Sequence, residues 1–237
     1  MAAGADLAID RIEVFETLTP YLKAQVYGSY ANQPEAIDAS GTGGIIDTTS
    51  ENAQPCMGAF VMHNLLYLLK TQSWYSTQDN PNSEPGGWGL SEVSNKVGTI
   101  GINSYDTGEE WCITACRSGI YGFDGGQPTK ISQELWNLWE QINWNAGNTI
   151  VLRNDVVSKR LYCAIPLPTG VNPATGLPAN KYTNVWLPYA PYNPAPTSPN
   201  VMLMLNYQGL ADIKEMMMSP GVHTTMFFYK WTSLNPI

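Results

Sequence analysis

A β unit that repeats 46 residues on constrains this chain more than any other feature. Residues 110–126 read EWCITACRSGIYGFDGG. Trp111, Ile113 and Ala115 alternate with Cys112, Thr114 and Cys116, the period-two pattern of a strand. Arg117-Ser118-Gly119 is a short polar turn and Ile120-Tyr121-Gly122-Phe123 a second strand. Asp124-Gly125-Gly126 ends the unit, because glycine accepts positive φ. Upstream, the apolar run Leu65-Leu66-Tyr67-Leu68-Leu69, a polar Lys70-Thr71-Gln72-Ser73 and Trp74-Tyr75 repeat the plan, with Tyr75 46 residues before Tyr121. A third copy runs from Thr149-Ile150-Val151-Leu152 through a polar turn at 153–159 to Leu161-Tyr162-Cys163-Ala164-Ile165, and places Tyr162 41 residues after Tyr121. A β unit every ~40–50 residues is the spacing of propeller blades. The expectation is a mainly β fold of propeller-like repeated blades, about four, with one amphipathic helix and a Pro-rich excursion.

Between the copies the chain reads as strands and turns. Residues 11–15 and 25–30 are short β runs, and His63-Asn64 is a two-residue hairpin turn between 59–62 and 65–69. The helix is expected over 132–143: Ile131, Leu135, Leu138, Trp139 and Ile142 form one apolar stripe, and Ser132 is placed to cap it. Nine of the 17 prolines fall within 166–199, and proline removes ladder donors, so an ordered excursion is expected there. Residues 201–205 resume a buried strand, 211–218 suit a short helix, and 226–231 a last strand. The expected layout is blades over 1–165, the Pro/Tyr-rich excursion over 166–200 and a terminal β element over 201–237 belonging to the same domain.

Charge narrows the function classes. The chain has 12 Lys and Arg against 20 Asp and Glu, a net charge of −8, with no basic run. Nucleic-acid binding needs clustered phosphate-neutralising cations, so that class is set aside. The longest apolar runs are about five residues, against the ~20 of a membrane helix. The first residues lack the basic start and apolar stretch of a secretory signal, so the chain reads as soluble and without an address. Cys112 and Cys116 share a strand face at a separation near ~13 Å, too far for a bridge, and read as buried thiols. Cys163 is the one other thiol placed to approach them, and one disulfide stays open.

Chemistry-bearing constellations are few. Only His63 and His223 are present, with no metal-binding spacing, and His63 sits in a turn. No nucleophile elbow, P-loop or dinucleotide fingerprint opens a helix. Asp106, Glu109 and Glu110 cluster before the central strand, where adjacent Glu residues point to opposite faces and read as a solvated loop end. No catalytic residue and no cofactor are assigned. Calcium is the one cation considered, for the oxygen-rich loop of Asp79, Asn80, Asn82 and Glu84. Trp88, Trp186, Tyr189 and Tyr192 are candidate sugar-stacking aromatics, and Arg11, Val14, Met226 and Phe228 mark terminal strand edges open to strand addition.

Several runs carry a resemblance: ENAQP at 51–55, GAFV at 58–61, RSGIYGFDGGQPTKISQE at 117–134, VLRND at 151–155 and PNVMLMLNYQGL at 199–210. Together they resemble the β-propeller-like region of large uncharacterised bacterial proteins, found also in phage-like gene neighbourhoods, with a phage-tail-like structural role. Those proteins continue on both sides of the matching region. The resemblance implies a structural component of a virion or extracellular assembly, whose partners are further copies or other subunits. A carbohydrate-binding module, with glycans as partners, is the alternative, followed by a glycosidase-like enzyme. Without the excursion, 203 residues remain, enough for roughly four blades at most. An array that does not close leaves strand edges, and these are expected to pair with another copy.

Overall fold

The computed structural model describes residues 12–13, 25–28, 45–47, 54–78, 88–181, 190–218 and 224–229. The fold is mainly β: all strands described lie in four antiparallel sheets, each a meander joining neighbours in chain order. The chain divides into two compact units, Met1–Thr99 and Ile100–Ile237.

In the first unit β1 (Ile12–Glu13), β2 (Gln25–Gly28) and β3 (Ile45–Asp47) make a three-stranded sheet. Arg11 and Val14 lie outside the described residues. A second sheet contains β4 (Cys56–Met62), β5 (Leu65–Lys70), β6 (Trp74–Thr77) and β7 (Leu90–Ser94). The β4–β5 turn is the expected pair His63-Asn64, both left-handed at φ 52° and 59°, the geometry that matches the twist of a two-residue hairpin. Both faces of β5 are covered. Leu66 and Leu68 pack with Cys56, Trp88 and Ile46, which ties the two sheets together. Tyr67 stacks on Phe60 at 4.9 Å, and Phe60 meets Trp74 edge-on at 6.1 Å.

The second unit holds two four-stranded sheets. One contains β8 (Tyr105–Gly108), β9 (Trp111–Cys116), β10 (Gly119–Phe123) and β11 (Thr129–Lys130). The other contains β12 (Val151–Asp155), β13 (Arg160–Ile165), β14 (Val201–Asn206) and β15 (Thr224–Tyr229). One apolar cluster joins them, with Ile113, Ala115 and Ile120 from the first sheet and Leu152, Leu161, Cys163, Leu203 and Leu205 from the second. Cys112 and Cys116 are buried and unbridged, and Cys163 is also a free buried thiol, so the disulfide left open in the sequence is not formed.

The 46-residue repeat is real in the pairing. Tyr75 faces Leu68 across β5–β6, and Tyr121 faces Thr114 across β9–β10, so both partners shift by the same 46 residues. The third copy is out by one strand. Tyr162 lies in the second strand of its sheet, opposite Arg153 and Met204, so it is the counterpart of β9 rather than β10. The true third strand is β14. Where β5 and β6 are joined by three residues and β9 and β10 by two, β13 and β14 are separated by the whole 166–200 segment.

That segment belongs to its sheet. Leu167 N–H donates to Asn200 Oδ1 at 2.8 Å and Asn200 Nδ2 returns to Leu167 O at 2.9 Å. Thr169 and Asn193 exchange backbone hydrogen bonds at 2.9 and 2.8 Å. Strand pairing therefore puts 151–165 and 201–206 in one sheet, and the unit boundary falls at 99/100.

The expected helix is a correction. Residues 133–135 form a 3₁₀ turn, α1 (Trp136–Trp139) is a single α turn, and a second 3₁₀ segment spans Trp144–Thr149. The stripe is buried as expected at Ile131, Leu135, Leu138, Trp139 and Ile142. Ser132 does not cap; its Oγ accepts the Ile120 N–H at 2.9 Å and locks the turn to β10. Trp139 Nε1 donates to Cys116 O at 2.9 Å. These cross-links hold each turn where it lies, and no long helix is needed to bury the stripe. The later expectation of a helix near 211–218 is met by α2 (Ile213–Met218).

Candidate functional site

Two features of the second unit stand out: a polar cleft and an outer strand. The cleft, about 570 Å³, has three walls. The first is the β8–β9 hairpin. Gly108 pairs with Trp111, and Glu109-Glu110 form the two-residue turn between them. A Cβ at Gly108 would stand 2.4 Å from Trp111 Nε1, so glycine is what lets the indole lie across the end of β8. Trp111 is half-buried, packed against the core cluster on its inner side.

The second wall is β12 and its turn. Asn154 N–H donates to Asp106 Oδ2 at 2.6 Å, while Asp106 Oδ1 accepts the Thr107 N–H at 3.1 Å. Asp155 organises the turn that follows by accepting the Val157 and Ser158 N–H groups at 3.1 and 3.0 Å and the Ser158 hydroxyl. The Ser158 bonds hold the Asp155 carboxyl below its ordinary range. Lys159 closes the turn with φ 53° and donates from Nζ to Leu210 O at 2.8 Å.

The third wall follows β14. Tyr207 is buried and its hydroxyl donates to Asn154 Oδ1 at 2.8 Å; burial raises the phenol above its usual value. Asp212 Oδ1 caps α2 by accepting the Glu215 N–H at 3.0 Å. Lys214 forms an ion pair with Glu110, bridging the third wall to the first. That hydrogen bond raises the Lys214 pKa. Glu110 is exposed and Lys214 half-buried at the surface, so the pair adds little stability.

Asp106, Glu110 and Asp212 are each engaged by a donor within the chain, and no histidine or thiol lines the cleft. Among the described residues no group of three His, Cys, Asp or Glu side chains converges on a cation position.

The outer strand is β15. It pairs with β14 over its full six residues, Val201 opposite Tyr229 through Asn206 opposite Thr224, and among the described residues no strand pairs with its other side. Its sequence, TTMFFY, contains no charge, Pro or Gly. The other fourth strands are guarded: β11 is two residues long and ends in Lys130, and β7 carries Glu92.

The residues singled out in the sequence scatter. Trp88 is 6% exposed and packs with Ile46, Leu66 and Leu68, so it fills core in place of offering a stacking face. Tyr192 is 40% exposed in the excursion. Trp186, Tyr189, Asp79, Asn80, Asn82, Glu84 and His223 lie outside the described residues. Met226 and Phe228 fall on β15. His63 is exposed in its turn. Of the cleft residues, Asp106, Glu109 and Glu110 read in the sequence as an acidic cluster at a solvated loop end. Asn154, Lys159, Tyr207 and Lys214 carry no local signal, because the cleft forms only when three separate connections meet.

The chain matches no family model and no curated protein.

Proposed function

We propose that the protein is a structural component of an extracellular or phage-tail-like assembly, joined copy to copy by strand addition at β15. The observation that carries this reading is the unguarded edge: six uncharged β-prone residues with no strand on their outer side among those described. An edge strand of that kind presents unpaired N–H and C=O groups to any second edge. A second copy supplies an identical edge, and antiparallel β15-to-β15 pairing across a two-fold axis continues both meanders into one sheet.

The succession of antiparallel meanders supports a scaffold role. Successive four-stranded meanders begin at β4, β8 and β12, and the first strands β8 and β12 lie side by side, as inner strands of adjacent blades do. Among the described residues no helix is long and apolar enough to cross a membrane.

Sedimentation velocity across micromolar concentrations, with two single-proline variants, tests this. Backbone N–H groups alternate sides along a strand, so one of Met226 and Phe227 donates to β14 and the other points outward. The wild type should sediment at twice the 26.1 kDa chain mass or more. One of Met226→Pro and Phe227→Pro should give a stable monomer, and the other should lose stability. A wild type that stays monomeric, or two variants that assemble like it, overturns the reading.

A further inference from the structure

We propose that the cleft among Trp111, Asn154 and Tyr207 is a binding site for a neutral saccharide, a function separate from assembly at β15. Its volume, about 570 Å³, lies within the roughly 300–1,000 Å³ of small-ligand sites. The charge arrangement disfavours an anionic ligand. Four acids line the cleft, which disfavours an anion, and both lysines are already committed, Lys159 to Leu210 O and Lys214 to Glu110. The acids in turn do not form a cation cage. Asp106 has an N–H on each oxygen, Asp212 caps α2, and Glu110 is paired.

What remains suits a polyhydroxylated, uncharged molecule. Asn154 Nδ2 is buried and has no acceptor, although the rest of the residue is fully used: its N–H by Asp106 and its Oδ1 by Tyr207. A buried donor without an acceptor carries a desolvation cost, so the amide gains by turning its Nδ2 to a hydroxyl oxygen bound in the cleft. Trp111, laid over Gly108 and half-buried at the rim, gives an apolar plane for the C–H face of a sugar ring. Carboxylates held by the backbone keep lone pairs free to accept sugar O–H donors. An apolar plane with a few placed polar groups is the usual composition of such sites.

The test uses the full chain on an array of neutral oligosaccharides, followed by titration calorimetry with the best binder. Asn154→Asp keeps the backbone bond to Asp106 and the acceptor for Tyr207 while replacing the unpartnered donor, and should weaken binding at least tenfold. Trp111→Phe should weaken it severalfold and Trp111→Ala should abolish it, with unfolding midpoints of the Asp and Phe variants recorded to confirm the fold. The β15 proline variant that is monomeric should bind as the wild type does, which keeps this outcome independent of assembly. The proposal fails if the array retains no neutral sugar. It also fails if Asn154→Asp and Trp111→Phe both leave affinity within twofold, or if only cationic glycans are retained and salt releases them.

Discussion

Asn154 N–H meets Asp106 Oδ2 at 2.6 Å, linking the first strand of one sheet to the first strand of the next. Leu152 N–H makes a parallel link to Asn103 O at 2.9 Å two residues earlier. Two first strands joined this way hold neighbouring meanders side by side, and the same bond sets one wall of the cleft. Removing the acceptor should therefore affect stability as well as shape.

Asp106→Ala should cost about 1.5–3 kcal/mol, the range for a hydrogen bond to a charged group. Asp106→Asn keeps one acceptor oxygen and should cost less. Denaturant midpoints at neutral pH read the difference. A change below ~0.5 kcal/mol for Asp106→Ala would mean that the sheets are held by the apolar cluster alone.

The excursion makes a contrast between two glycines. Gly170 has φ 75° and a Cβ there would stand 2.4 Å from Tyr192 N, against the backbone of the returning strand. Gly176 has φ 68° with nothing within 4 Å. Gly176→Ala should cost only the strain of the left-handed backbone, roughly 1 kcal/mol. Gly170→Ala must also part Thr169 from Asn193 and should lower the unfolding midpoint much further. Equal effects would show that the excursion does not close on itself.

Buried thiols give the pH dependence. Cys163 is pushed up to about 12 from 9.0 by burial, and Cys112 is raised well above 9.0 by burial and by Asp106. A folded-state pKa above the unfolded value contributes stability that is complete below pH 9 and is lost as pH rises toward the folded value. Unfolding free energy should thus fall between pH 9 and about 12, by up to ~1.4 kcal/mol per pH unit for each such thiol. Cys163→Ala should make that fall shallower. In the native state both thiols should resist a thiol reagent at pH 8 until denaturant is added.

Much of this fold is legible locally. Period-two alternation finds β9 and β10, the His63-Asn64 turn is set by two left-handed residues, and the Tyr75–Tyr121 spacing gives the repeat. What fails does so for physical reasons. The helix stripe is correct, but 3₁₀ and single α turns bury the same residues, and Ser132 is taken by Ile120 N–H before it can cap. The third repeat slips by one strand because 166–200 stands where β5–β6 and β9–β10 have two or three residues. Trp88 reads as a candidate sugar-stacking aromatic, yet tertiary packing closes it beside Leu68. The cleft draws on 106–111, 154–159 and 207–214, and no sequence window contains more than one of its walls.

Residue-resolved hydrogen exchange across Thr224–Tyr229, at two protein concentrations spanning assembly, reads the β15 edge itself. Amides that donate to β14 should be protected at both concentrations. The alternate amides, which face away from β14, should exchange freely in dilute protein and slow at least tenfold once copies associate. Protection of those outward amides that does not change with concentration would contradict assembly by strand addition.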